Sequence, residues 1–519
     1  MSFRFNKQTL WPFLCMVIIF ALALPGVIPA RRALASATLD PDAPEDSGSA
    51  PTSVYVPFVF ADYPWESPFG IESSRPILSS NGLMARATDL NIAYVRTGNQ
   101  ISWAELQPAP GVIPQWGLLA DFENELRELN QAGITPIVTI KNTPVWAQKP
   151  GVRDDGQPTS CGAIAEEYFD EFASFVQEMV NRYKTPEFNA HIWEIGNEPD
   201  VDPNEVPPDF LLGCWGDIDD TAYFGGYYYA QMLRVVSIAI KEADSTAQVW
   251  VGGLLLDRPV TDPSDADEDG YAERFFTGIL QETEDSGAGP SFDVAPYHAY
   301  STYWDQYAHG VSNDYDLLPS GQWYAWGGGV IGKARFLRQH MAQYGVDKPI
   351  FLNETGFGCA DTAYYCDAPD ERFFESQATH LVRYFARGLS ENVPGFIWYT
   401  LDGPGWRFSS LLDGSQLPRL SYTAFQVISQ QLQHARYIGT VDYAEGIEAY
   451  AFHRNSEQVQ IVWAKEDETI PFYVPANKFI MALSREGVVL YDSTYPPPEF
   501  GTEYKLQAGF EPIYVIRYP

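Results

Sequence analysis

Between Phe69 and Leu401 the chain alternates between two kinds of segment. Short runs of β-branched and aromatic residues are each followed by longer stretches in which apolar residues recur every three or four positions. The short runs are "FGIESS" (Phe69 to Ser74), "NIAYVRTG" (Asn91 to Gly98), "ITPIVTI" (Ile134 to Ile140) and "HIWEIG" (His191 to Gly196). They continue with "QVWVGGLLL" (Gln248 to Leu256), "FDVAPYHAY" (Phe292 to Tyr300), "PIFLNETG" (Pro349 to Gly356) and "VPGFIWYTL" (Val393 to Leu401). Between them, Leu119, Phe122, Leu126 and Leu129 share one helical face that Gly133 terminates. Tyr168, Phe172, Val176, Met179 and Tyr183 line another. Strands joined by helical crossovers make a parallel sheet, and about eight such units close a (β/α)8 TIM barrel. Residues 55–434 are long enough for that barrel with insertions.

Beyond residue 434 the helical periods stop. "IEAYAFHR", "QVQIVWAK", "TIPFYVP", "FIMALSRE" and "EPIYVIRYP" are short strand-like runs with turns between them. Asn455 to Gln458 and Lys465 to Glu468 read as hairpin turns. Residues 435–519 therefore form a small all-β sandwich, expected to pack on the barrel rather than to bind sugar itself. No internal repeat is evident.

The N-terminus is of another kind. Arg4 and Lys7 precede an apolar run from Leu10 to Ala30 that Pro12, Pro25 and Pro29 interrupt. "ALA" (Ala33 to Ala35) and "ASA" (Ala35 to Ala37) are small-x-small cleavage sequences. Residues 1–37 thus read as a signal peptide; the alternative is an uncleaved N-terminal anchor. Either places the body of the protein outside the cytoplasm, secreted or held at the cell surface. Residues 38–54, Pro-, Ser- and acid-rich, read as a flexible linker. Removal of the signal takes Cys15 with it and leaves Cys161, Cys214, Cys359 and Cys366. An even count in an exported chain favours disulfides, and of three pairings Cys161–Cys214 with Cys359–Cys366 is expected. A zinc site is the rival, but no C-x-x-C spacing exists, so no metal centre is expected. The net charge of −35 repels nucleic acid and anionic membranes, and neither is a partner. Oligomeric state is left open.

In a barrel of this kind, functional side chains emerge at the carboxyl ends of the strands. "HIWEIGNEPD" ends its strand on Asn197-Glu198, where Pro199 turns the chain away, and "PIFLNETG" ends on Glu354. Two carboxyl groups across one pocket are the equipment of glycoside hydrolysis, one neutral to protonate a leaving oxygen and one ionised to attack.

The pattern resembles the clan A glycoside hydrolases, retaining (β/α)8 enzymes with catalytic glutamates after strands four and seven, and among them the family 39 enzymes. The resemblance covers the barrel, about three quarters of the chain. It implies that Glu198 of Asn197-Glu198-Pro199 is the acid/base and Glu354 the nucleophile. It also implies that Asn197 holds a sugar 2-hydroxyl and that Arg96 of "YVRTG" supports the nucleophile. His298 and Tyr300 of "YHAY" match a His-x-Tyr pair, and Trp398 of "FIWYT" matches a sugar-platform tryptophan. Trp146 lies in "NTPVWA", which looks like the strand-three loop of family 39. The implied activity is exported retaining β-glycosidase action on a poly- or oligosaccharide, with carbohydrate as the partner and no cofactor. Gly196 before Asn197 and Thr355 after Glu354 depart from the commoner pattern and bear on the family more than the clan.

Each residue also has a plainer reading. By alternation Glu194, Gly196 and Glu198 share a face, so Glu194 competes with Glu198 or pairs with Arg96 lower in the barrel. Arg96 is then an ion-pair partner, His298 a satisfied core histidine, and Tyr300 and Trp398 packing. Asn353-Glu354-Thr355 is formally a glycosylation sequon, a poor reading at a strand end. Trp304, Trp323 and Trp326 line sugar subsites or form a folded lid with its own core. "DADEDG" opens like a calcium loop through Asp265, Asp267 and Asp269. Its twelfth position is Phe276, which cannot ligate, so a solvated acidic loop is expected. The rival functions are a transglycosylase with the same site and a non-catalytic carbohydrate-binding surface protein.

Overall fold

The computed structural model describes residues 67–72, 78, 81–98, 101–150, 153, 155–157, 159, 161–207, 213–261, 269–304, 321–360, 366–403, 405–492, 494 and 501–519. The signal peptide, the linker, Asp265 and Asp267 lie outside them. Eight strand–helix pairs follow one another. They are β1 (Phe69–Glu72) and α1 (Leu83–Asp89), β2 (Tyr94–Arg96) and α2 (Ala120–Ala132), β3 (Thr135–Lys141) and α3 (Phe169–Tyr183), and β4 (Ile192–Asn197) and α4 (Gly226–Ala243). The second half has β5 (Gln248–Gly253) and α5 (Tyr271–Ser286), β6 (Ala295–Tyr303) and α6 (Gly329–Gln343), β7 (Ile350–Cys359) and α7 (Glu371–Ser390), and β8 (Phe396–Tyr399) and α8 (Leu420–Leu432). Gly133 caps α2 in the left-handed conformation, as its position predicts.

The strands pair in parallel in the order β5-β4-β3-β2-β1-β8-β7-β6. The seam between β5 and β6 is joined by the parallel bridges Trp250–Val294 and Leu254–Tyr297. The backbone bonds Val251 N–H to Val294 O (3.2 Å) and Leu254 N–H to Pro296 O (3.1 Å) complete it. The sheet is therefore a closed barrel. Its lower interior is a layer of Ile137, Ile192, Trp250, Val294, Phe351 and Ile397. Above that layer the inward residues turn polar, which is where the site begins.

The C-terminal sheet is antiparallel. Its strands are β9 (Arg436–Thr440), β10 (Ile447–Arg454), β11 (Glu457–Ala464), β12 (Ile470–Pro475), β13 (Phe479–Ser484), β14 (Val489–Asp492), β15 (Glu503–Ala508) and β16 (Ile513–Arg517). Six of them order as β9-β10-β11-β16-β13-β14, and β12 pairs with β15 as a separate ribbon. The turn at Asn455 joins a true hairpin, β10 to β11. The expected hairpin at Lys465 to Glu468 is corrected: that turn carries the chain from the six-stranded sheet to the ribbon, because β12 pairs with β15 and not with β11. Alternation divides the duties of the six-stranded sheet. Ile513 and Val515 face the ribbon, while Tyr514 and Ile516 join the barrel's own core with Tyr450, Phe452, Ile461 and Trp463. The β domain is thus packed on the barrel, through α7.

Both expected disulfides are present, Cys161–Cys214 and Cys359–Cys366. Among the described residues no helix is long and apolar enough to cross a membrane.

Candidate active site

β4 brings three polar side chains to the cleft where strict alternation would bring fewer. Glu194 points inward. Gly196 then adopts φ +87° and Glu198 φ +48°, both left-handed, so the pleat breaks and Asn197 and Glu198 face the cleft together. The Glu198 N–H is held by the Gly253 carbonyl at 2.9 Å. β7 repeats the device. Its register against β8 shifts between Leu352 and Thr355, and Asn353 and Glu354 both turn inward.

Arg96, at the end of β2, organises the floor. Its Nε donates to Glu194 Oε2 (2.8 Å), and Nη1 donates to Glu72 Oε2 (2.7 Å) and Glu354 Oε2 (2.6 Å). Nη2 reaches Glu194 Oε1 (3.1 Å) and the Asn197 side-chain oxygen. Glu194 is saturated further by Thr139 Oγ1 (2.6 Å), Gly253 N–H (2.9 Å) and Asn353 Nδ2 (2.6 Å). A carboxylate holding this many donors is a structural anchor, and Glu194 does not compete with Glu198.

His298, fully buried, stands between the other two glutamates. Its Nδ1 lies 2.8 Å from Glu198 Oε1, and its Nε2 lies 3.6 Å from Glu354 Oε2. The imidazole fits against β5 because residue 253 is glycine: a β-carbon there would sit 2.1 Å from Nε2. The Tyr300 hydroxyl donates to Glu354 Oε1. One oxygen of Glu198, one of Glu354 and one nitrogen of His298 lie within 4.8 Å of one another. That trio has the donor set of a metal site. Arg96 shares this cluster through Glu354 Oε2, at 2.6 Å.

Charges in this cluster shift in opposite senses. Burial alone would raise the Glu354 carboxyl, but the charges of His298 and Arg96 and the Tyr300 hydrogen bond outweigh it and hold it below the usual range. Burial pulls His298 down, and the Glu354 and Glu198 carboxylates more than offset that, raising it. Burial, aided by Glu354 and opposed by Arg96, pushes Glu72 up to about 7. Burial likewise brings Lys141, at the end of β3, down to about 8.

The structure brings Glu198, Glu354, Arg96, Asn197, His298 and Tyr300 into one cleft. Asn197 Nδ2 is buried there without a hydrogen-bond partner. Trp398 is a correction. It is 0% exposed, on the outward face of β8 against Phe385 of α7, and its indole N–H donates to Ser409 O at 2.9 Å. An indole with no free face offers no sugar platform. Its inward neighbour Tyr399 approaches Tyr300 instead. Trp406, in the loop after β8, is 38% exposed and packs on Tyr300 with ring centroids 4.9 Å apart. Trp146 is half-buried, edge-on to Trp103 and Tyr168, and donates to Gln107 O at 3.1 Å. Trp323 is also buried, packed on Phe336 and Trp326 of the α6 region, so it belongs to a small core rather than to a subsite.

Glu72, Lys141 and Trp406 were not singled out from sequence. The first two carry the same signal as Glu354, a charged residue closing an apolar run of the sequence, although in the structure β7 continues past Glu354 to Cys359. Trp406 has only the loop "GPGWRF" to mark it.

Solved structures share this architecture. A family 39 glycoside hydrolase from the gut symbiont Bacteroides cellulosilyticus WH2 superposes with a TM-score of 0.60 at 17% identity, over 88% of this chain and 82% of that one. The fold is that of these glycoside hydrolases. A family 30 endoxylanase from Clostridium papyrosolvens C71 has a TM-score of 0.54 at 12% identity, over 87% and 96%. A monomeric β-xylosidase from Caulobacter crescentus CB15 has a TM-score of 0.54 at 14%, also over 87% and 96%. No family model and no curated protein sequence matches the chain.

Proposed function

We propose that the chain is an exported retaining β-glycoside hydrolase that cleaves a poly- or oligosaccharide by double displacement. The observation that carries this reading is the approach of Glu198 and Glu354 within 4.8 Å, from opposite walls of the barrel. Retaining glycosidases hold their carboxyls about 5–5.5 Å apart, whereas inverting ones leave about 6.5–9.5 Å for a water. Glu354 is kept ionised by His298, Arg96 and Tyr300, as a nucleophile must be. It attacks the anomeric carbon and the bond to the leaving oxygen breaks. The His298–Glu198 pair holds a proton between Nδ1 and Oε1, and Glu198 passes it to that oxygen. Glu198 then takes a proton from water, whose oxygen displaces Glu354. The chemistry calls on no cofactor. In this reading the unpartnered Asn197 amide holds a sugar hydroxyl and the exposed Trp406 offers an aromatic face.

Export rests on the N-terminal sequence and on two disulfides, which persist in oxidising compartments. Because two structural neighbours are a xylanase and a xylosidase, β-linked xylosides are the first substrates to try, followed by gluco-, manno- and galacto-configured chains. The test is proton NMR of the first product formed. A β-anomer from a β-linked substrate is expected; an α-anomer rules out the mechanism.

A further inference from the structure

The end of β5 and the segment leaving it supply the carbonyls that hold the backbone of Glu198 and His298. Glu198 hangs from the Gly253 carbonyl (2.9 Å), and the His298 N–H hangs from the next carbonyl, Leu254 O (2.9 Å). The two residues whose side chains share a proton are thus suspended from consecutive peptide groups of one strand end. That strand end is gripped from both sides. From the β4 side, the buried Asp200, two residues past Glu198, accepts from Leu255 N–H (2.9 Å) and Leu256 N–H (2.6 Å). From the α6 side, the buried Lys333 donates to Leu255 O (2.6 Å) and to His298 O (2.9 Å). A carboxylate and an ammonium therefore hold the two faces of the Leu255 peptide. Leu256 stays at φ +54°, a conformation that a non-glycine residue keeps only where its surroundings impose it.

We infer that Asp200 and Lys333 are positioning residues of the reaction: by clamping the Leu254–Leu256 segment they set the distance at which His298 meets Glu198. The inference rests on reading Glu198 as the acid. Among the described residues the hydrogen bonds of Asp200 and Lys333 go to this backbone, and Asp200 also meets Glu198 through its charge. Losing one grip lets the segment relax, and the 2.8 Å contact that hands the proton to Glu198 lengthens.

The full chain is tested as Asp200→Asn, which keeps size but loses one acceptor, and as Lys333→Met. The first readout needs no substrate. The ring nitrogen signals of His298, assigned by their loss in His298→Gln, report the contact with Glu198 in an NMR spectrum. Both variants should move these signals in the direction that Glu198→Gln moves them; unchanged signals overturn the inference. The second readout is kcat/KM on aryl glycosides of graded leaving-group pKa. Acid assistance matters most for poor leaving groups, so the loss should be about tenfold or more larger for the poorest than for the best. A uniform loss would make the two residues merely structural and overturn the inference. Unchanged signals in either variant that folds overturn the inference, and a shift in Lys333→Met carries it, because Asp200→Asn also removes a charge that Glu198 feels. If the unmodified protein hydrolyses no member of the series, the proposed function fails, while the His298 signals still decide the clamp.

Discussion

Asn197 and Glu198 face the cleft side by side because the backbone leaves strand geometry on both sides of them, at Gly196 and at Glu198 itself. A regular strand would show one of the pair and hide the other. The two glutamates then differ by what surrounds them. Glu354 lies among cations and a hydroxyl, and Glu198 meets an imidazole. Their roles are separable by chemical rescue. Glu354→Ala should abolish turnover, and with azide it should yield only the α-glycosyl azide, formed by attack from the face the lost nucleophile occupied, opposite the leaving group. Glu198→Ala should keep glycosylation of an activated substrate, and azide should restore its turnover with a β-glycosyl azide, because azide needs no general base. Reversed configurations would mean that the roles are exchanged. Glu194→Ala should show no rescue and should instead destabilise the fold, since it strips Arg96, Thr139, Gly253 and Asn353 of a shared acceptor.

At the scale of elements, α7 joins the two parts of the molecule. From Ser376 to Gly388 it is buried all round, because the barrel covers one side and the β domain the other. Its arginines do the joining. Arg387 forms a paired bond with Glu448 of β10, Nε to Oε1 at 2.9 Å and Nη2 to Oε2 at 3.0 Å. Arg383 donates to Ala464 O at 3.1 Å and stacks over the Phe510 ring at 3.9 Å. Burial would raise Glu448, but Arg387 and the Tyr450 hydroxyl bring it down from 4.5 to about 2. A depressed folded pKa gives stability that is present above the ordinary value of 4.5 and lost as pH falls through about 2. The shift corresponds to about 3 kcal/mol. Melting followed across acid pH should show this loss between pH 4.5 and 2. Glu448→Gln should flatten that part of the profile and lower the melting temperature at neutral pH. An unchanged profile would leave the arginine clamp without energetic weight.

For the molecule as a whole, two disulfides staple loops on the cleft side of the barrel, one bridging 53 residues and the other 7. Chain-entropy reasoning gives the longer loop about 4 kcal/mol and the shorter about 2 kcal/mol. Denaturant melts of Cys161→Ser/Cys214→Ser and Cys359→Ser/Cys366→Ser should differ in that order. Thiol titration of the denatured, unreduced protein should find none of the four cysteines free. Four reactive thiols would overturn the pairing and weaken the case for export.

Much of this protein is legible from sequence, for a physical reason. Hydrophobic period and turn chemistry are local, so eight strand–helix pairs, the Gly133 cap and the all-β C-terminus can be read residue by residue. The strand-end rule then marks Glu198 and Glu354, because a barrel gathers the carboxyl ends of its strands at one face, and the resemblance to clan A adds Arg96, His298 and Tyr300. What only tertiary structure decided depends on which way a side chain turns and what meets it there. Trp398 faces α7 and Trp406 faces Tyr300, though both are tryptophans near the end of one strand. Lys465 to Glu468 changes sheets instead of closing a hairpin, because the partner of β12 lies more than thirty residues further on. The same holds for Glu194, whose role came from the four groups that converge on it from β2, β3, β5 and β7. Alternation along one strand carries no information about partners contributed by four others.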